Sequence, residues 1–222
     1  MILWVLLDQA TTPDGQSLRL KQRGAEFSIM LGTNELMNSR LSGSEEALAK
    51  LSIERIAARP APHLLIGGLG MGFTLRAALA ELNPQARVTV VELMPAVVEW
   101  ARGPMAAVFN GCLDDPRVTV AVEDVGRSIN KRGPFDAVLL DVDNGPEGLT
   151  TESNDDLYTV PGLRKTLAAL RPGGVLSVWS SGPDSGFTRR LKQAGFQVEE
   201  VSVRAHKKQG ARHVIWLATR PG

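Results

Sequence analysis

The residues with the clearest chemical potential sit where short apolar runs end. The run Leu64 to Ile66 is followed by Gly67-Gly68-Leu69-Gly70-Met71-Gly72 and then by a helical stretch. Glycines at such a turn let the backbone bend sharply and leave room for a ligand to lie against the main chain at a helix N-terminus. Gly68, Gly70 and Gly72 give G-x-G-x-G, and Phe73 stands where a dinucleotide fingerprint would need a further glycine or alanine. A tight strand-to-helix turn explains the loop about as well as a ligand site does. Glu92, at the end of the next apolar run, shifts that balance. A carboxylate at that strand end can accept hydrogen bonds from both hydroxyls of a ribose, with Leu93 beside it. Asp124, followed by Val125, ends the third run, where it can accept from the amine of an adenine or cap the helix that follows. The fourth run ends in Asp141-Val142-Asp143-Asn144-Gly145-Pro146, an acidic tip that should face the reactive end of a nucleoside. Function is expected for Asp141 and turn chemistry for Gly145 and Pro146.

The elements that must carry these residues follow from periodicity. Short apolar runs at 64–66, 88–91, 118–122, 137–140 and 175–179 alternate with helical stretches near 74–82, 96–102, 163–170 and 186–194. This is the pattern of a parallel sheet covered on both faces. The runs 196–203 and 214–219 follow one another without a helix, so the last strand should be antiparallel. The expected fold is α/β, a seven-stranded, mostly parallel sheet. Residues 1–42 form a small β extension with a turn at Pro13-Asp14-Gly15, and residues 43–222 form the main domain. Ser44 is the expected N-cap of a helix whose apolar face carries Leu48, Leu51 and Ile56. Trp4, Trp100, Trp179 and Trp216 lie in apolar segments and are expected in the core.

Composition narrows the function classes. The 222 residues are 43% hydrophobic, enough for a substantial core, and 25 basic residues balance 24 acidic ones. No overall field draws the chain to nucleic acid or membrane, and the basic loop of Arg204, His206, Lys207, Lys208 and Arg212 has no aromatic platform among its residues, so nucleic acid is not an expected partner. His63, His206 and His213 fall at no metal-ligand spacing, so no metal is expected. Cys112 has no second cysteine to pair with, which fits a reducing compartment, and it reads as a buried or half-buried thiol. The apolar start ends at Asp8 and does not fit a signal peptide, and no later run approaches a membrane span. A cytoplasmic protein acting on small molecules is the expectation, and an exposed β extension leaves room for a homodimer.

Five segments in one order carry a specific resemblance: LLIGGLGMG, VTVVELMPAVVEWA, RVTVAVEDV, FDAVLLDVDNGPEG and LYTVPGLRKTLAALRPGGVLSV. From His63 to about Trp179 the chain resembles the spermidine synthase family, which shares the Rossmann-like fold of class I methyltransferases. The resemblance implies that Gly68, Gly70 and Gly72 line the methionine moiety of a donor, that Glu92 holds its ribose, and that Asp124 and Val125 meet its adenine. It implies further that Asp141 matches the aspartate that binds and deprotonates the attacking amine, with Asp143, Asn144 and Tyr158 near the acceptor. A core position suits Tyr158 equally. Three features depart from the family: Gly70 replaces an aspartate, Asn144 and Gly145 replace the end of D-x-x-D-P, and Gly43 to Leu48 shows no Tyr-His-Glu.

The reaction these features imply is attack by a nucleophile on a carbon attached to a sulfonium, with Asp141 taking the acceptor's proton. The co-substrate would be S-adenosylmethionine or its decarboxylated form. Because Gly70 carries no charge, methyl transfer to a small acceptor ranks first and aminopropyl transfer to a polyamine second. A nucleoside-binding module without catalysis is the third reading.

Overall fold

The computed structural model of the chain describes residues 2–142, 156–204 and 211–222, so Asp143, Asn144, His206, Lys207 and Lys208 lie outside the described residues. Four strands come first: β1 (Val5–Thr11), β2 (Ser17–Arg23), β3 (Glu26–Leu31) and β4 (Asn34–Asn38), paired antiparallel in chain order. β4 is polar enough to have escaped the periodicity reading. Alternation puts Leu18, Leu20, Phe27, Ile29 and Leu31 on one buried face, where they join Leu69, Met71 and Phe109 in a single hydrophobic cluster. The leading apolar residues take no part in it: Ile2 and Leu3 are about 70% exposed (69% and 73%).

After α1 (Gly43–Arg55) the chain enters the main sheet through β5 (His63–Gly67). There follow α2 (Phe73–Glu81), β6 (Arg87–Glu92), α3 (Pro95–Arg102), the short α4 (Ala106–Phe109), β7 (Val118–Val122) and α5 (Val125–Arg132). β8 (Phe135–Leu140), α6 (Val160–Ala169), β9 (Leu170–Ser180), α7 (Ser185–Ala194), β10 (Gln197–Arg204) and β11 (Arg212–Thr219) complete the described elements. Among the described residues the sheet has seven strands in the order β10-β11-β9-β8-β5-β6-β7. All neighbours from β9 to β7 are parallel, and β11 runs antiparallel between β9 and β10. Every residue of β8 is buried, as a strand covered on both faces requires. Strand order reverses between β5 and β8, and ligands in open α/β sheets lie outside the carboxyl ends of the strands at such a point.

Two local expectations are corrected. Ser42, not Ser44, occupies the N-cap of α1, and its carbonyl accepts from Glu46 N at 2.9 Å. Ser44 lies inside the first turn and is 1% exposed. Trp100 and Trp216 are core residues, whereas Trp4 is half-buried beneath the Arg23 guanidinium at 4.7 Å and Trp179 is half-buried at a cavity wall. Cys112 is buried, and desolvation pushes its thiol up to about 11, which makes it a poor nucleophile. No helix among the described residues is long and apolar enough to cross a membrane, and no cluster of three or more metal-ligating side chains occurs among them.

Candidate active site

The glycine loop joins β5 to α2 at the point of strand reversal. Gly68 has φ +90°, and a Cβ there would stand 2.3 Å from the Asp141 carbonyl oxygen. Only glycine lets the tips of β5 and β8 approach this closely, an approach tied by the bond from Asp141 N to Gly67 O at 2.9 Å. Gly70, at φ +51°, faces Met37 of β4, whose sulfur would lie 3.2 Å from an added Cβ. Gly72 works differently. A side chain there would strike the Phe109 ring at 2.6 Å, so this glycine serves core packing and does not line the cavity at the loop.

Glu92 ends β6 nearly buried, with Oε2 accepting from Leu69 N at 3.0 Å and Oε1 from Met94 N at 2.9 Å. Its carboxylate therefore pins the glycine loop and opens the turn into α3. It also lines a cavity of about 120 Å³ with Gly68, Gly70, Leu93, Asp124, Val125 and Asp141. The opposite wall is the β extension, through Leu18, Ile29, Leu31, Leu36 and Met37. What sequence alone treats as an appendage walls this cavity. Asp124 caps α5, its Oδ1 accepting from Arg127 N at 2.8 Å, so the capping role is present at a cavity wall.

Two further spaces continue this cavity into a trough. Past Pro13, Leu93, Asp124 and Val125, which are shared walls, it opens into a groove of about 390 Å³ beside α5 and α6. Past Met37, Gly70 and Asp141 it continues into a cavity of about 80 Å³ lined also by Asn38, Glu45, Phe73 and Trp179. No Lys, Arg or His is among the described residues lining this end.

Asp141 stands where the cavity of about 120 Å³ meets the one of about 80 Å³. Its Oδ2 accepts from the Thr74 hydroxyl, in the first turn of α2, at 2.6 Å. Desolvation first, and then the charge of Glu45, push its carboxyl up to about 7, while the Thr74 bond pulls the other way. Glu45 is also raised, mainly by burial. These two carboxylates resist being charged together, so the site is poised to bind a cation or to hold a proton near neutral pH.

The structure thus brings Gly68, Gly70, Glu92, Leu93, Asp124, Val125 and Asp141 to one trough. Tyr158 is not there: its ring is 4% exposed and packs edge-on against Phe187 at 5.5 Å, within the cluster behind β8 and β9. Sequence reasoning missed Glu45, Thr74, Met37 and Trp179. Glu45 was visible only as an acid in a helix's first turn, and Thr74 gave no signal at all.

No protein-family model matches the chain. Among curated proteins it is 35% identical over 146 residues to the polyamine aminopropyltransferase of Mycobacterium tuberculosis, a match covering 61% of this chain and 27% of that protein. The chain thus spans about a quarter of that relative's length. Among solved structures, the spermidine synthase of Thermotoga maritima superposes with a TM-score of 0.75 at 19% identity, covering 97% of this chain and 72% of that one. Human methyltransferase-like protein 13, in complex with SAH, gives 0.56 at 20% identity over 81% of this chain and 79% of its own.

The strand order and these neighbours define an open α/β fold of the class I methyltransferase type. Within that fold the chain is similar in sequence to a polyamine aminopropyltransferase and in architecture to spermidine synthase.

Proposed function

We propose that the chain is an aminopropyltransferase of the spermidine synthase type, which moves the aminopropyl group of decarboxylated S-adenosylmethionine to a small amine. The observation that carries this reading is the pair of carboxylates, Asp141 and Glu45, at one small cavity beside the glycine loop. Sequence alone ranks methyl transfer first because Gly70 bears no charge. Glu45, contributed by α1, restores a negative group at that end of the trough. A methionine carboxylate about 4 Å from such a group would be repelled by roughly 4 kcal/mol at an effective dielectric near 20, before screening. The decarboxylated donor brings an ammonium and no carboxylate. The likeness to a polyamine aminopropyltransferase supports the same choice.

In this reading the adenosine lies between the β extension and the tips of β6 and β7, with Glu92 at the ribose and Asp124 and Val125 at the base. The acceptor enters as an ammonium and loses one proton to Asp141. Its lone pair then forms a bond to the propyl carbon attached to sulfur, the carbon–sulfur bond breaks, and its electrons remain on sulfur as a neutral thioether. The new nitrogen carries the positive charge. Alignment of nitrogen, carbon and sulfur supplies most of the rate, and proton removal contributes the rest.

Incubation with decarboxylated S-adenosylmethionine and putrescine tests this. The expected products are 5′-methylthioadenosine and spermidine, with tighter binding of the decarboxylated donor than of S-adenosylmethionine in parallel titrations. One observation favours methyl transfer as a second reading: the loop's N–H groups at the start of α2, with no side chain at Gly70, can receive a methionine carboxylate. Tighter binding of S-adenosylmethionine, with S-adenosylhomocysteine formed in the presence of an acceptor, would establish that reading. Nucleoside held but never consumed would reduce the chain to a binding module.

A further inference from the structure

Helix α1 carries two buried serines with different surroundings. Ser52 donates to the Leu48 carbonyl at 2.6 Å and meets Ser177 Oγ at 2.7 Å, an arrangement that satisfies a hydroxyl inside a packed helix. Ser44, 1% exposed, has titratable partners on both sides. Its Oγ donates to Glu45 Oε2 at 2.7 Å and lies 3.0 Å from His213 Nδ1 on β11. His213 is half-buried, with its ring edge-on to Trp179 at 4.8 Å, so the chain of bonds runs from the wall of the acceptor cavity to the sheet end where Arg212 is exposed.

We propose that Glu45, Ser44 and His213 form a proton exit that carries the acceptor's proton from the Asp141 cavity to water. The inference rests on the amine-acceptor reading above. A proton taken from the ammonium reaches the carboxylate pair, and the protonated Glu45 then donates to Ser44 Oγ. Ser44 passes its own hydroxyl proton to Nδ1 of a neutral His213 that carries its hydrogen on Nε2. The resulting imidazolium loses the Nε2 proton to water, Glu45 returns to a carboxylate, and no other species is consumed.

The surroundings suit each step. The groups around the relay are Glu46 and Glu45 on α1, Asp141 at the end of β8, Thr74 on α2, Trp179 on β9, Arg212 beside His213, and Val203 and Arg204 on β10 opposite His213 and Arg212. Burial lowers the affinity of His213 for a proton, so the imidazolium gives its proton up readily instead of trapping the charge. Burial, and to a smaller extent the charge of Glu46, raise Glu45, which lets it carry a proton in passing.

Ser44 and His213 touch no substrate, so the test needs readouts that loss of packing would not reproduce. Ser44→Ala and His213→Gln should each lower kcat about tenfold with the donor KM unchanged. Added imidazole should restore the rate of His213→Gln by carrying the proton directly. By nuclear magnetic resonance, Glu45→Gln and Ser44→Ala should each lower the pH at which His213 titrates, because a negative partner is lost or disconnected. That measurement needs no turnover, and Glu45→Gln keeps it available should Ser44→Ala fail to fold. An unmoved His213 titration, or unchanged kcat and pH profile in both relay variants, would overturn the relay. Coupled titration without turnover of decarboxylated donor and putrescine would instead overturn the aminopropyl reading while leaving the coupled chain standing.

Discussion

Asp136 and Asp141 stand near opposite ends of β8, five residues of one strand apart in chemistry as well as position. At the amino-terminal end Asp136, 2% exposed, meets Arg171 at 2.6 Å and Arg59 at 3.4 Å and accepts from His63 N at 2.8 Å. At the carboxyl end Asp141 has the Thr74 hydroxyl as partner and the Glu45 charge as a neighbour. One aspartate is compensated by cations and joins strands; the other is crowded by an anion and held near its protonation midpoint. Residue type does not separate them. The direction of the sheet does, since the carboxyl ends of parallel strands face the trough and the amino ends face away from it.

Exchanging each carboxylate for its amide should break this contrast in opposite ways. The largest effect is expected for Asp141→Asn, which keeps the shape but cannot take the acceptor's proton. Turnover should fall about a hundredfold to ten-thousandfold while donor affinity, followed by calorimetry, stays near wild type. Wild-type turnover would make Asp141 a mere strand end. The wild-type rate should itself rise with pH through about 7, as Asp141 loses its proton.

Glu92→Ala comes next and asks whether the donor end depends on a compensated charge. The change removes the proposed ribose acceptor and also releases Leu69 N and Met94 N. Affinity for S-adenosylhomocysteine or 5′-methylthioadenosine should drop by roughly 3 kcal/mol, more than a hundredfold. Unchanged binding in a folded variant would remove Glu92 from the donor site.

Asp136→Asn should cost stability and leave the pH profile of turnover in place. Breaking a buried ion pair destabilises by about 3–5 kcal/mol, but both arginines are about one-third exposed (33% and 35%) and regain water, so roughly 2 kcal/mol is expected in urea denaturation. A shifted activity profile with intact stability would reverse the roles assigned to the two ends.

The last prediction sharpens the comparison through pH. Asp141 has a folded pKa raised above its unfolded value, so the stability linked to its proton is full below the unfolded pKa of 3.8 and is lost as pH rises through about 7. Asp141→Asn removes that loss. Its stability relative to wild type should therefore grow between about pH 5 and pH 8, by on the order of 2 kcal/mol, in paired melts. A constant difference across that range would mean that Asp141 stays charged throughout.

What the amino-acid order alone determined is what short-range physics writes into it. Apolar runs alternating with helical stretches specify a parallel sheet, because a strand buried on both faces must be apolar throughout, and the wholly buried β8 contains the expected run 137–140. Glu92, Asp124 and Asp141 were legible as site candidates because each ends such a run and strand ends converge in this fold. Gly68, Gly70 and Gly72 were legible as a turn, yet their separate duties were not, since the duty of Gly72 is set by Phe109 and that of Gly68 by the backbone of Asp141. Tertiary structure alone turned residues 1–42 from an extension into a wall, took Tyr158 into the core, and set Glu45 from the first turn of α1 beside Asp141. The physical reason is common to all of these. Backbone geometry and hydrophobic period act over a few residues, whereas burial and charge repulsion depend on which distant segments the packed core brings together.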